Sequence, residues 1–484
     1  MRIHILYPGH SIHKEAPKKF QRGEYMRRWI ALLSILALTA GLGYLTGPEA
    51  ANIGLYAVLF MIQGIALLFV GYQTVMGYAG MRKFRRTVLK EPKSRLAVLV
   101  AAHNEQKVIG QICENLKKMD YPKELYDVYV ICDNCTDRTA EEVRKTGVTA
   151  MEREDRSKKG KGFGLEWMFE RLWELEEKGI CYDAVVMFDA DNLVSKDFLQ
   201  IINAKLLDGH EVIQGYLDAK NPGDSWVTKS YSFAYWSTNR IYQLARENLG
   251  LTAQLGGTGV TVSTKVLKEL GWGATSLTED LEFTQRYILE TGKRVAWAHD
   301  AVLYDEKPLG FMQSFHQRIR WMQGHFDCMT RYALPLIKKG IKERRFMLID
   351  SAIYLMMPSR SLLAGLLLIF ACLSYAGLYE VKGYLGDFVD RSVFFDTWLY
   401  AVLLLCYLAL PVTALILEKK AGKLHWLVIS YLFGFSWIPI SFLGFLKKNQ
   451  REWRHTEHTR SVAIEDLESA GKLEKVISSR PTVK

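Results

Sequence analysis

The feature that most constrains this chain is a set of apolar stretches, near both ends, that carry no charge over a length able to cross a bilayer. Residues 29–47 form one and residues 51–80 the next. A membrane-spanning helix needs about 20 such residues. Pro48, Glu49 and Ala50 separate the two, which predicts a helical hairpin. Toward the C-terminus, residues 361–379, 397–417 and 424–446 repeat the pattern. A helix buried in a soluble core keeps a polar face. These stretches have none, so they read as membrane segments.

Charge sets the expected orientation. Lys14, Lys18, Lys19, Arg22, Arg27 and Arg28 precede the hairpin, and Arg82, Lys83, Arg85, Arg86 and Lys90 follow it. Cytoplasmic flanks are enriched in Lys and Arg, so both flanks are expected in the cytoplasm. A cleaved signal peptide is not expected, because the first run starts late and lacks an obvious cleavage site. Glu380, Asp387, Asp390 and Asp396 mark an external loop, and Lys419, Lys420 and Lys423 an internal one. Three C-terminal spans would then place Lys447, Lys448, Arg451 and Arg454 outside, against the charge rule. Either residues 424–446 re-enter around Pro439, or residues 346–357 add a span. The expectation is three or four C-terminal spans and a cytoplasmic tail.

The formal net charge of +11 gathers beside the apolar runs, which fits attraction to anionic headgroups. No nucleic-acid recognition motif accompanies it. Seven cysteines do not suggest a disulfide scaffold, which places the soluble part in a reducing compartment. Cys132 and Cys135 form a C-x-x-C pair, but no second pair or H-x-x-x-H completes a structural zinc site.

Between the apolar regions the pattern changes. Residues 96–102, 128–132 and 184–188 are apolar runs of the kind a doubly covered parallel strand requires. Residues 107–119 and 164–178 are amphipathic and helical in period. Strand and helix in alternation predict an open parallel α/β sheet, whose ligands bind beyond the C-terminal strand ends. Polar residues stand at those ends: His103, Asn104 and Glu105; Asp133, Asn134 and Asp137; Asp189 and Asp191.

Asp189-Ala190-Asp191 directly follows a strand. Paired carboxylates are hard oxygen ligands suited to Mg²⁺ or Mn²⁺, which would neutralise a diphosphate. Thr278-Glu279-Asp280 adds two carboxylates ahead of a helical pattern. Gln317-Arg318-Ile319-Arg320-Trp321 supplies a fork of donors in Arg320 and a flat apolar face in Trp321. Gly256-Gly257-Thr258-Gly259 permits close approach of backbone to ligand.

In order and spacing, these motifs resemble the membrane-integrated inverting glycosyltransferases of family 2, the group of cellulose, chitin, hyaluronan and poly-N-acetylglucosamine synthases. The resemblance rests on Ala102-His103-Asn104-Glu105, Cys132 to Asp137, Lys159-Gly160-Lys161-Gly162, Asp189-Ala190-Asp191, Thr278-Glu279-Asp280 and Gln317 to Trp321. It implies a GT-A, Rossmann-like α/β domain inserted between transmembrane helices. The expected boundaries are a cytoplasmic segment at 1–28, a hairpin at 29–80 and the catalytic domain at 94–325. An amphipathic interface helix at 326–345, membrane spans within 346–446 and a cytoplasmic tail at 447–484 follow. The resemblance assigns Ala102, Glu105, Asp133, Lys161, Asp189, Gln317 and Arg320 to the nucleotide-sugar, with Asp133 accepting from a uracil imide. It assigns Asp191, with Asp189, to Mg²⁺ or Mn²⁺, and Asp280 to the general base. Trp321, Gly257, Thr258 and Glu279 fall on the acceptor side. Where many of these synthases carry an arginine after the glycine run, Ser263 and Thr264 stand here. The implied activity moves glucose or N-acetylglucosamine from a UDP-sugar to a growing polysaccharide at the plasma membrane. Transfer of one sugar to a lipid is the alternative, and a catalytically dead channel or scaffold the remote one.

Overall fold

The computed structural model describes residues 48–273, 275–375, 397–449 and 464–467. The expected segment 1–28, the first span at 29–47, the acidic loop at 380–396 and His455 and His458 of the tail lie outside the described residues.

The strands are β1 (Leu96–Ala102), β2 (Tyr126–Asp133), β3 (Thr149–Arg153), β4 (Ala184–Asp189), β5 (Leu193–Val194), β6 (Val212–Ala219), β7 (Val260–Ser263) and β8 (Ala296–Asp305). They form one sheet in the order β3-β2-β1-β4-β7-β6-β8-β5. The β3-β2-β1-β4 half is parallel throughout. The expected all-parallel sheet needs correction, because β7 runs antiparallel to both β4 and β6. The physical reason lies in the glycine run 256–259. The chain enters β7 directly from that run, at the C-terminal edge of β4, and so must run back along it.

The principal helices are α1 (Pro48–Tyr78), α2 (Ile109–Lys117), α3 (Thr139–Lys145), α4 (Lys161–Glu177), α5 (Phe198–Leu207), α6 (Trp226–Thr238) and α7 (Glu279–Thr291). They continue with α8 (Phe311–Lys342), α9 (Phe346–Tyr375), α10 (Thr397–Leu417), α11 (Trp426–Phe435) and α12 (Trp437–Leu446). The sheet is covered on both faces. One core packs Leu165, Met168 and Phe169 of α4 with Phe283 and Tyr287 of α7 and Cys328 of α8. The other packs Ile109 and Ile112 of α2 with Phe198 and Ile202 of α5. Burial on both sides explains the unbroken apolar strands.

Several expected boundaries move. Pro48 to Ala50, read as a turn, belong to helix α1. Residue 326 begins no element: the interface helix is the latter half of α8. Residues 346–357 continue into the next apolar run as one helix, α9. Residues 424–446 divide at Ser436 into α11 and α12. Among the described residues, Met61–Met81 and Trp426–Leu446 are long and apolar enough to cross a membrane.

Buried ion pairs fasten α1, α9 and α10 to the α/β domain. Arg246 and Asp350 are fully buried and pair at 2.9 Å, and Tyr72 of α1 also donates to Asp350. Arg240 donates to Glu418 after α10 at 2.5 Å and to the Gly80 carbonyl at 3.1 Å.

Candidate active site

The parallel register brings the expected residues to one edge. Ala102 of β1 lies opposite Cys132 of β2, and Ala101 opposite Asp189 of β4. Asp133 and Asp189 therefore end strands two positions apart, about 10 Å across the edge. Helix α4 bridges them. Its Gly164 packs on the Asp133 side chain, and Lys161 reaches across to Asp189 Oδ1 at 2.5 Å and the Gly257 carbonyl at 2.6 Å.

At the ends of β1 and β2, His103 Nδ1 contacts the Asp133 carbonyl at 2.7 Å, tying the two loops together. The Glu105 backbone N–H donates to Thr139, and its carbonyl starts α2. Buried Arg153 donates to Asp133 Oδ1 at 2.5 Å, as does Asn134 at 2.9 Å. Burial raises the Asp133 pKa, while Arg153 pulls it back down. The motif reading missed Arg153. Its position at the end of a parallel strand was the signal available.

Asp191 is buried and held at both oxygens. Asn192 donates to Oδ1 at 3.1 Å, and the Glu306 N–H to Oδ2 at 2.7 Å. Asp305 belongs to the same surroundings. Burial raises its pKa, Lys307 opposes this, and Asp191 and Asp189 add to the rise. Asp189 and Asp191 are hard donors with lone pairs to spare beyond these bonds, a set that fits Mg²⁺ or Mn²⁺ completed by water and phosphate. Among the described residues, no group of three or more His, Cys, Asp or Glu is arranged around one metal position.

The glycine run needs its glycines. Gly257 and Gly259 have φ of +81° and +63°, and a Cβ at 259 would collide with Leu303. Gln214 holds the run at both ends, accepting from Gly256 N–H and donating to the Thr258 carbonyl. A Cβ at Gly257 would sit 3.6 Å from Asp280 Oδ2, so the carboxylate faces the run.

Helix α7 begins at Glu279 and Asp280, whose charges suit a helix N-terminus. Gly324 of α8 lets Thr278 pack directly on that helix. Buried Glu282 fixes the preceding turn by accepting from Thr275, Ser276 and Arg331. Burial and the adjoining Asp280 push Glu279 up to about 7. Burial raises Asp280, with the Leu281 N–H and Lys161 opposing. Burial alone would depress Lys161, but Asp189, Glu279 and Asp280 hold it above its usual value. Burial lowers Arg320, against Glu279, Asp189 and Asp280. Two cations and three carboxylates thus lie close enough to shift one another's ionisation.

On α8, positions 317, 320, 321 and 324 form one stripe by helical spacing. Arg320 faces the carboxylates. Gln317 instead accepts from Tyr231 at 3.3 Å, and Trp321 packs edge-on to the same ring at 6.2 Å. Arg318 points the other way. It is fully buried against Phe433, 3.9 Å from the ring centroid, and donates to Ser436 at 2.7 Å.

Residues 92–324 match the model described as Glycosyltransferase like family 2. The chain is 26% identical over 310 residues to a beta-monoglucosyldiacylglycerol synthase of Nostoc sp., covering 59% of this chain and 62% of that protein. It is 20% identical over 372 residues to the poly-beta-1,6-N-acetyl-D-glucosamine synthase of Staphylococcus epidermidis, covering 74% and 83%. The match thus spans less than two thirds of the Nostoc relative's length. Among solved structures, the mannosyltransferase PcManGT from Pyrobaculum calidifontis, in complex with GDP-Man and Mn²⁺, superposes with a TM-score of 0.50 at 17% identity, covering 75% of this chain and 98% of that one. That similarity shows the fold, an α/β sheet of the GT-A type. The family match identifies residues 92–324 of this chain as a glycosyltransferase domain of the family 2 type.

Proposed function

We propose that the chain transfers a sugar, glucose or N-acetylglucosamine, from a UDP-sugar to an acceptor hydroxyl presented at the cytoplasmic membrane surface. The observation that carries this is Lys161, which bonds both Asp189 and the Gly257 carbonyl while the Asp280 carboxylate faces the same glycine run. Asp133 and Glu105 hold the nucleotide base and ribose, with Arg153 fixing Asp133. Asp191 and Asp189 hold a divalent cation, which when bound supplies charge neutralisation for the diphosphate. Asp280 accepts the proton of the attacking hydroxyl. Its raised pKa makes it a better proton acceptor than an ordinary aspartate once ionised. Lys161 and Arg320 stabilise charge on the departing UDP. One displacement at the anomeric carbon, with no covalent enzyme intermediate, inverts it.

The membrane reading is supported by α1, by the apolar runs outside the described residues and by α11 and α12. Both halves of Trp426–Leu446 dock on the catalytic domain: Trp426 stacks on Trp236 of α6, and Gln323 of α8 donates to the Lys447 carbonyl. Val428, Leu432, Phe435, Phe442 and Leu446 remain exposed. An apolar helix pair interrupted at Ser436 and docked at both ends on a domain read as cytoplasmic suits a re-entrant place rather than a full crossing. The tail then stays cytoplasmic, and the charge rule holds with α9 and α10 as C-terminal spans. This is a multi-pass plasma-membrane protein in our reading.

A lipid acceptor is favoured by the name of the Nostoc relative and by the position of Trp321 under α11. A polysaccharide acceptor is the second reading, favoured by the longer match to the Staphylococcus synthase. Incubating the full chain in nanodiscs with radiolabelled UDP-glucose or UDP-N-acetylglucosamine and sizing the product decides between them. One sugar per lipid supports the first and a polymer the second. No incorporation from either donor contradicts the donor assignment.

A further inference from the structure

Asn192, the residue after Asp189-Ala190-Asp191, is 1% exposed and bonded on every side. Its Oδ1 accepts from the Asp189 N–H at 3.1 Å and from the Thr258 hydroxyl. Its Nδ2 donates to Asp191 Oδ1 at 3.1 Å. Thr258 Oγ1 also accepts from the Asp189 N–H at 3.1 Å. Two donors on the oxygen side leave the amide one orientation, with its NH₂ toward Asp191.

We propose that Asn192 is a positioning residue that sets the Asp191 carboxylate for the divalent cation and latches it to the glycine run through Thr258. The inference rests on the reading of Asp191 as the cation-holding carboxylate. The Glu306 N–H holds Asp191 Oδ2 at 2.7 Å, and the Asn192 amide holds the other oxygen, Oδ1, at 3.1 Å. The Asn192 amide is the second point that fixes the plane. Thr258 in turn fixes the amide, so a movement of the glycine run on the acceptor side reaches the cation site through one buried side chain. Groups that orient a metal ligand from behind typically change metal affinity about 10–100-fold.

The test measures Mn²⁺ binding directly, by paramagnetic resonance of free Mn²⁺ with the full-length chain in nanodiscs, with UDP present. Metal-free UDP binding serves as the folding control. Asn192→Leu keeps the side-chain shape and removes all three bonds. Thr258→Val leaves the Asn192–Asp191 bond and removes the latch together with one of the two acceptors of the Asp189 N–H, the Asn192 Oδ1 acceptor remaining, so it tests the inference even if Asn192→Leu misfolds. Asp191→Asn reports on the underlying reading. The expected result is loss of tight Mn²⁺ binding in Asp191→Asn, about 10–100-fold weakening in Asn192→Leu and a smaller weakening in Thr258→Val. Loss in Asp191→Asn with wild-type Mn²⁺ affinity in the other two overturns the role of Asn192 alone. Unchanged Mn²⁺ affinity in Asp191→Asn overturns the reading of Asp191, and the role of Asn192 with it.

Discussion

Replacing Glu279 with Gln removes a charge from a place where burial and Asp280 oppose it, and stability should report that opposition. The carboxyl is pushed from its ordinary 4.5 to about 7. A folded pKa above the unfolded one means that ionisation costs the folded state. Below pH 4.5 both states carry the proton and the cost is absent. It grows as pH rises and is complete above about 7. At 1.36 kcal/mol per unit the ceiling is about 3 kcal/mol. The side chain keeps a path to solvent and shares its titration with Asp280, so about 1–2 kcal/mol belongs to residue 279. Glu279→Gln, without nucleotide, should therefore raise the thermal midpoint by a few degrees at pH 8 and leave it unchanged near pH 4.5. Intrinsic fluorescence during heating in nanodiscs is a suitable assay. A variant less stable than wild type at pH 8, or equally shifted at both pH values, would refute the reasoning.

Two further substitutions test how the site is held. Asp350→Ala leaves fully buried Arg246 without its counter-ion and should cost about 3–5 kcal/mol; the double variant Arg246→Met/Asp350→Leu should recover much of this in the same melting assay, and a double variant no more stable than the single one contradicts the assignment. Arg153→Met leaves Asp133 Oδ1 with Asn134 as its neutral donor and removes a charged hydrogen bond worth about 1.5–3 kcal/mol, so UDP affinity by calorimetry should fall at least about tenfold; an unchanged affinity would show that Asp133 needs no such support.

Much of the catalytic edge was legible because β1, β2 and β4 are unbroken apolar runs ended by polar residues, and a parallel register carries those ends to one place. The placing of Asp133, Asp189 and Asp191 at strand ends followed from that alone, and the close packing of Gly324 on Thr278 sets the start of α7, where Asp280 and, from α8, Arg320 come within electrostatic reach of Asp189. The antiparallel β7 was not legible, since a four-residue strand carries no sign of direction. Arg153 and Asn192 were overlooked for a different reason. Each acts through a neighbour, and which neighbour depends on packing that no local pattern encodes. The continuity of α8 across residue 326 was hidden because its polar stripe toward the active site and its later amphipathic half look like separate segments. The division at Ser436 was half visible: Pro439 suggested an interruption, but the docking of each half on α6 and α8 is a tertiary fact.

The most direct test replaces the proposed base while leaving its shape. Asp280→Asn is measured for sugar transfer from UDP-glucose and UDP-N-acetylglucosamine, alongside UDP and Mn²⁺ binding, in the full-length chain. Transfer should fall by about 10²–10⁴-fold while both ligands bind as to the wild type. Turnover within a few-fold of wild type would contradict the account at its centre.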